Sequence, residues 1–116
     1  MSERSAAFTA CFDRGLQQFR AGEYAEAHET WEVGWKTTTG GEKQLLQALI
    51  MWTTALHHVR RGNQVGADKL MAAALARLAA PEVPPAPYPL EPLREVLRAS
   101  AAEVAAGRAH APAWPT

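Results

Sequence analysis

Two polar side chains, His28 and Glu32, have the residue types and the spacing to do chemistry. They lie four residues apart, so on a helix they occupy the same side and can hydrogen-bond to each other or bind one metal ion. At about 100° per residue, His28 falls within about 40° of the centre of the apolar stripe formed by Tyr24, Trp31 and Trp35, and Glu32 falls about 80° from it. The spacing therefore predicts that His28 faces inward and that Glu32 lies at the edge of the same face.

The segment from His28 to Glu32 resembles the start of the zinc-protease helix, but it lacks the second histidine of that motif. No Glu-x-x-His occurs in the chain, which excludes the carboxylate-bridged di-iron site of helical bundles. Two interpretations of the pair stay open. It can be a ligand, metal or catalytic site, or it can be a buried polar pair that fixes the register of a helical bundle.

Three polar side chains of the following helix share one face with Met51: Gln47, Thr54 and His58. If the two helices pair antiparallel about the region of Thr39, Glu32 lies near Gln47 and His28 lies near Met51. This pairing predicts a cluster of Glu32, Gln47 and His28.

His58 lies about seven residues further along the same helix as Met51, or roughly 10 Å away at about 1.5 Å per residue. An alternative partner for it is Asp68, because the two residues lie at equal distances from the turn at Asn63. His58 and Asp68 would then form an ordinary hydrogen bond or ion pair.

Five helices must position these residues, and they define an all-α fold. Apolar residues recur every three or four positions in each segment, which is typical of helices with one buried face. The predicted helices are residues 5–21, 24–36, 42–61, 65–80 and 93–107, where residue 107 is the stop glycine. Residues 1–80 form the core of a single domain, the proline-rich segment 81–92 is an extended connector, and residues 108–116 are a loose tail unless Trp114 docks on the body.

The chain also repeats itself at an offset of 40 residues. Apolar positions align with apolar positions, Gly22 aligns with Gly62, and Ala27 aligns with Ala67. The repeat predicts two helical hairpins of the tetratricopeptide type, with each glycine in the turn. Since two units are too few for a solenoid, the sequence favours a compact bundle closed by the fifth helix. His28 and Glu32 align with Asp68 and Ala72, so the repeat does not explain them.

Composition limits the function. Twelve basic and twelve acidic side chains balance, and neither a basic stripe nor a run of about 20 apolar residues is present. We therefore expect neither nucleic acid nor a membrane as a partner. The single cysteine, Cys11, excludes an internal disulfide and is interpreted as a small core or boundary residue. With no export signal at the amino terminus, we expect a cytoplasmic protein, and four tryptophans in so small a chain leave room for self-association.

The ordered series of motifs resembles the family catalogued as domain of unknown function 309. The matching motifs, quoted in chain order, are Phe19-Arg20-Ala21-Gly22-Glu23-Tyr24, Ala27-His28-Glu29, Trp31-Glu32, Trp35, Gln47-Ala48-Leu49-Ile50, Ala55-Leu56-His57-His58, Arg61-Gly62-Asn63, Gly66-Ala67 and Leu70. The resemblance covers about residues 12–78 and implies a small all-α fold with no assigned activity. It also implies that five residues occupy the family's signature polar positions: His28, Glu32, Gln47, His58 and Asn63. Trp52 stands where the family leads us to expect a smaller residue.

The leading hypothesis is that the inward polar cluster binds a small ligand or a divalent metal ion and performs hydrolytic chemistry. Glu32 would be the general base or a metal ligand, His28 a metal ligand or proton shuttle, and Gln47 would orient substrate or water. His58 and Asn63 would form a neighbouring wall. The alternative is a non-catalytic interaction module that binds another protein, as tetratricopeptide-like hairpins do.

Overall fold

The computed structural model describes residues 6–79 and 90–108, and these residues form five α-helices with no strand among them. The helices are α1 (Ala6–Arg20), α2 (Tyr24–Thr37), α3 (Gly40–Arg60), α4 (Gln64–Leu78) and α5 (Leu90–Ala105). The predicted all-α bundle of five helices is therefore confirmed. No helix in these ranges is both long enough and apolar enough to span a membrane.

Helix α3 lies at the centre of the bundle. It packs against α2 on one side and against α4 and α5 on the other, while α1 packs against α2. The apolar residues around α3 explain this position, since nine of its 21 residues are buried. Trp31 of α2 and Trp52 of α3 are both fully buried. The two tryptophans are core residues.

The two hairpins turn in the same way. Gly22 and Gly62 have φ values of 79° and 78°, a conformation that glycine adopts without a Cβ clash. The amide of Glu23 donates to the carbonyl of Gln18 at 2.9 Å, and the amide of Asn63 donates to that of His58 at 2.8 Å. These bonds close each helix with the same glycine cap. The repeated hairpin seen in the sequence is therefore a repeated backbone structure.

Trp52 fits where a smaller residue was expected because α5 provides a partner for it. The Trp52 indole donates from Nε1 to Ser100 Oγ at 2.8 Å, and both residues are fully buried. This hydrogen bond joins α3 to α5. A buried indole needs such an acceptor, so Ser100 satisfies the polar edge of the ring while the rest of it packs in the core.

Two helices begin more than one residue away from the predicted start. α5 begins at Leu90 rather than Leu93, which places Pro92 in its first turn, where amide groups have no helical acceptor and proline is therefore tolerated. α3 begins at Gly40 rather than Glu42, so the loop after α2 consists only of Thr38 and Thr39. Residues 81–89 of the predicted connector and the tail that carries Trp114 lie outside the described residues.

Candidate functional site

The imidazole ring of His28 is held between two polar side chains. Its Nδ1 lies 3.1 Å from the hydroxyl oxygen of Thr54, and its Nε2 lies 3.4 Å from a carboxylate oxygen of Glu32. The Thr54 hydroxyl is itself fixed, because it also lies 2.9 Å from the carbonyl of Ile50 and donates to it. With a partner on each ring nitrogen, the plane of the imidazole has one preferred orientation.

An open groove lies along this ring, between α2 and α3. Its volume is about 240 Å³. Seven residues line it: Tyr24, Ala25, His28 and Glu29 from α2, and Thr53, Thr54 and His57 from α3. The side chain of His28 is 32% exposed, so the ring is partly buried yet open to a ligand in the groove. Glu32 does not line the groove and contacts the ring from outside it.

The pairing of α2 with α3 differs by about one helical turn from the predicted one. His28 contacts Thr54 rather than Met51. Of the predicted cluster of Glu32, Gln47 and His28, the described residues show only the contact between His28 and Glu32, and no hydrogen bond joins Gln47 to either of them. Gln47 is partly exposed on α3.

His58 and Asn63 belong to the second turn rather than to the groove. Asn63 caps α4, since its Oδ1 accepts from the amide of Gly66 at 3.0 Å, and its Nδ2 lies 3.3 Å from Nδ1 of His58. The predicted pair of His58 and Asp68 does not form, because Asp68 accepts from Gln64 Nε2 at 2.8 Å instead. The local geometry thus gives His58 and Asn63 a structural explanation.

A metal ion would find two protein ligands at His28 and Glu32. Within residues 6–79 and 90–108, no group of three or more His, Cys, Asp or Glu side chains comes together. Protein sites for zinc usually supply at least three ligands. Metal binding by His28 and Glu32 therefore stays a prediction, with water or a substrate needed to complete the coordination.

Six of the seven groove residues were not among the predicted site residues: Tyr24, Ala25, Glu29, Thr53, Thr54 and His57. His57 is exposed and lines the groove. A signal for it was present, because His57 follows Thr54 by three residues and so lies on the same side of α3. Only the one-turn shift in helix pairing shows that this side meets His28.

Cys11 lies away from the groove, at the packing of α1 against α2. Its Sγ donates to the carbonyl of Thr30 at 3.1 Å. Burial raises the pKa of the Cys11 thiol above its usual value, so less of the reactive thiolate is present at a given pH. The thiol is a boundary residue of the core, as the sequence predicted, and its environment does not favour a nucleophile.

One of the comparisons with known proteins identifies a family. The model of a family described as a domain of unknown function (DUF309) matches residues 12–70, which include His28, Glu32 and Thr54. No curated protein and no solved structure matches the chain. The matched residues cover half of the chain and both faces of the groove, and the protein is therefore a member of the DUF309 family.

Proposed function

We propose that this domain binds a small organic ligand in the groove between α2 and α3, with His28 as the central polar contact. The observation that carries the proposal is the groove itself, which opens directly over a histidine whose ring is already oriented by Thr54 and Glu32. A side chain held in place before binding loses little entropy when a ligand arrives.

The size and lining of the groove support a ligand smaller than a typical drug. Its volume of about 240 Å³ lies just below the range of roughly 300–1,000 Å³ found for drug-sized ligands. The ring of Tyr24, the methyl of Ala25 and the carbon atoms of the two threonines offer apolar contact. His28 offers Nε2, whose 3.4 Å contact with Glu32 is longer than a usual hydrogen bond and can be exchanged for a bond to the ligand. Pockets that bind small molecules combine an apolar wall with a few placed polar groups in this way.

The contacts suggest how hydrolytic chemistry would be divided among the predicted residues. His28 would move the proton, Glu32 would orient the imidazole from outside the groove, and Thr54 would hold its other nitrogen. Gln47 would act only through water, because it has no direct contact with the pair. The geometry supports the binding of a ligand more directly than it supports a reaction.

A divalent metal at His28 and Glu32 is the part of this proposal that elemental mass spectrometry tests. A near-stoichiometric metal in the purified protein, lost in both His28→Ala and Glu32→Ala, would support it. Absence of metal from the wild-type protein after purification without chelators would remove it and leave the organic ligand.

The alternative function is an interaction module built from the two hairpins. Its support is the repeated tetratricopeptide-like turn, together with the exposed side chains of Val33 and Val65. Single exposed apolar residues are common on protein surfaces, so these two valines support a docking site less strongly than the groove supports a ligand.

The test is a fragment screen followed by amide chemical shifts in a ¹H–¹⁵N correlation spectrum. We expect hits to shift the amides of residues 24–29 and 53–57, and we expect His28→Ala to abolish these shifts. Asp68→Ala is the matched control, because Asp68 occupies the position of His28 in the second hairpin and should leave the shifts intact. Hits that shift residues outside the groove, or that bind His28→Ala equally well, would contradict the proposal.

A further inference from the structure

The guanidinium of Arg60 lies beside a residue that lines the groove. The guanidinium carbon of Arg60 lies 4.5 Å from the centroid of the Tyr24 ring, and Tyr24 lines the groove. Stacking on an aromatic ring holds the planar guanidinium in position while leaving its edge donors free. Arg60 is therefore held against a residue that lines the groove rather than extended freely into solvent.

Arg60 has no acidic partner within the described ranges. The ion pairs found there are His28 with Glu32, Arg94 with Glu91, Arg98 with Glu95, and Arg108 with Glu103. The guanidinium of Arg60 also donates no hydrogen bond there to another side chain or to a backbone carbonyl. A guanidinium that is held by an aromatic ring and unpaired can form a two-pronged hydrogen bond to a carboxylate or a phosphate.

A second donor lies one helical turn away. His57 precedes Arg60 by three residues on α3, so the two side chains lie on the same side of the helix, and His57 lines the groove. His28 lines the groove further along the same cleft. The opposite charge comes from Glu29, which lines the groove from α2 and is exposed. Within the part of the chain that the structure describes, Arg60 and His57 are thus two donors without a hydrogen-bonded partner, and Glu29 is one exposed carboxylate of the same groove.

We infer that the ligand of this groove is a small organic anion, a carboxylate or phosphate on an apolar body. The acidic group lies at the Arg60 and His57 end, and the apolar body packs along Tyr24 and Ala25 toward His28. This inference rests on the proposed function, because it names the class of ligand that the α2–α3 groove binds.

The effect of Glu29 on anion binding distinguishes a ligand-binding role of Arg60 from a structural one. A carboxylate across the groove weakens the binding of an anion and leaves a neutral ligand unaffected. Removing its charge in Glu29→Gln should therefore tighten binding of the acid by about twofold to fivefold, in line with exposed charge pairs. Removing the Arg60 charge in Arg60→Gln should weaken it by about tenfold, since hydrogen bonds between charged groups are stronger than neutral ones.

The experiment titrates ¹⁵N-labelled full-length protein with matched pairs of probes. The acids are benzoate, 3-phenylpropionate and phenyl phosphate, and the neutral partners are benzamide and 3-phenylpropionamide. Arg20→Gln is the matched control for Arg60→Gln, because Arg20 ends α1 as Arg60 ends α3 but does not stack on the ring of Tyr24. Carboxylates and the phosphate are separate arms, so the source of the anion is distinguished.

We expect each carboxylate probe to bind at least about fivefold more tightly than its neutral partner, as followed by the shifts of the backbone amides in the groove. Arg60→Gln should remove this preference, and Arg20→Gln should keep it. Equal binding of acid and amide would overturn the anionic class but leave the groove as a ligand site. Groove shifts by the amides alone would also overturn it. Failure of every probe, acid and neutral, to shift groove amides at millimolar concentration would overturn both this inference and the proposed function.

Discussion

The two hairpins of the domain share a backbone but differ in their polar side chains. The backbone hydrogen bonds of the two turns match. The amide of Gly22 donates to the carbonyl of Phe19, and the amide of Gly62 donates to that of Val59, both at 3.0 Å. Yet the positions of His28 and Asp68 carry unlike residues with unlike surroundings, since His28 meets Thr54 and Asp68 meets Gln64. Residues shared by the two hairpins therefore form the scaffold, whereas His28, whose equivalent in the second hairpin is Asp68, lines the groove.

The largest expected effect on stability is at a packed site where the two hairpins carry side chains of different volume. A Cβ added to Gly15 would lie 2.1 Å from Nε1 of the buried Trp31, whereas the equivalent positions in the second hairpin carry Ala55 and Met71, both buried. We expect Gly15→Ala to lower the free energy of unfolding by about 3 kcal/mol, because the rigid indole has no room to move. Chemical denaturation measures this change.

The double variant Gly15→Ala with Trp31→Met copies the solution used by the second hairpin. Methionine adapts to irregular space, so the two changes should compensate. The loss of unfolding free energy in the double variant should be at least about 1 kcal/mol smaller than the sum of the losses in the two single variants. Strict additivity would mean that Gly15 and Trp31 do not constrain each other, and the comparison of packing between the hairpins would fail.

A smaller effect is expected at the two turns, where only the second has a side-chain cap. Asn63 accepts from Gly66 at 3.0 Å, while Glu23 makes no capping bond. Replacing Asn63 with alanine should cost about 1 kcal/mol, and replacing Glu23 should cost less than about 0.5 kcal/mol. Equal losses in thermal or chemical denaturation would show that the difference between the turns has no energetic consequence.

The smallest effect concerns reactivity rather than stability, at the position where Cys11 aligns with Met51. Burial raises the pKa of Cys11, so the thiolate fraction at pH 8 is lower than that of an exposed thiol. Iodoacetamide should modify folded Cys11 at least about tenfold more slowly than it modifies N-acetylcysteine, and denaturation should remove the difference. Mass spectrometry follows the reaction, and a rate equal to that of the free thiol would place Cys11 outside the core.

Sequence reasoning predicted the scaffold because its signals are local. The apolar period defines each helix, and the glycines at 22 and 62 mark turns that require positive φ. The start of α5 was missed because proline, read as a helix breaker at Pro92, is tolerated in a first turn. Gly40 and Gly41, read as loop, are the first two residues of α3.

The site was harder to predict because it depends on how two helices cross. His28 and Glu32 contact each other as their four-residue spacing predicted. Thr54 lies on the predicted polar face of α3, but the predicted pairing of α2 with α3 is offset by about one turn and does not bring it to His28. Residue spacing alone does not define that offset. Asn63 caps α4 and lies 3.3 Å from Nδ1 of His58, and neither residue lines the groove.

The central claim is that His28 serves a ligand rather than the stability of the bundle. The most direct measurement pairs the free energy of unfolding of His28→Ala with the groove shifts of a bound fragment. We predict a loss of less than about 1 kcal/mol, because the Thr54 hydroxyl keeps its bond to Ile50 and the contact of His28 with Glu32 is partly exposed, together with loss of fragment binding. A loss above about 3 kcal/mol with fragment binding unchanged would show that His28 is a structural residue.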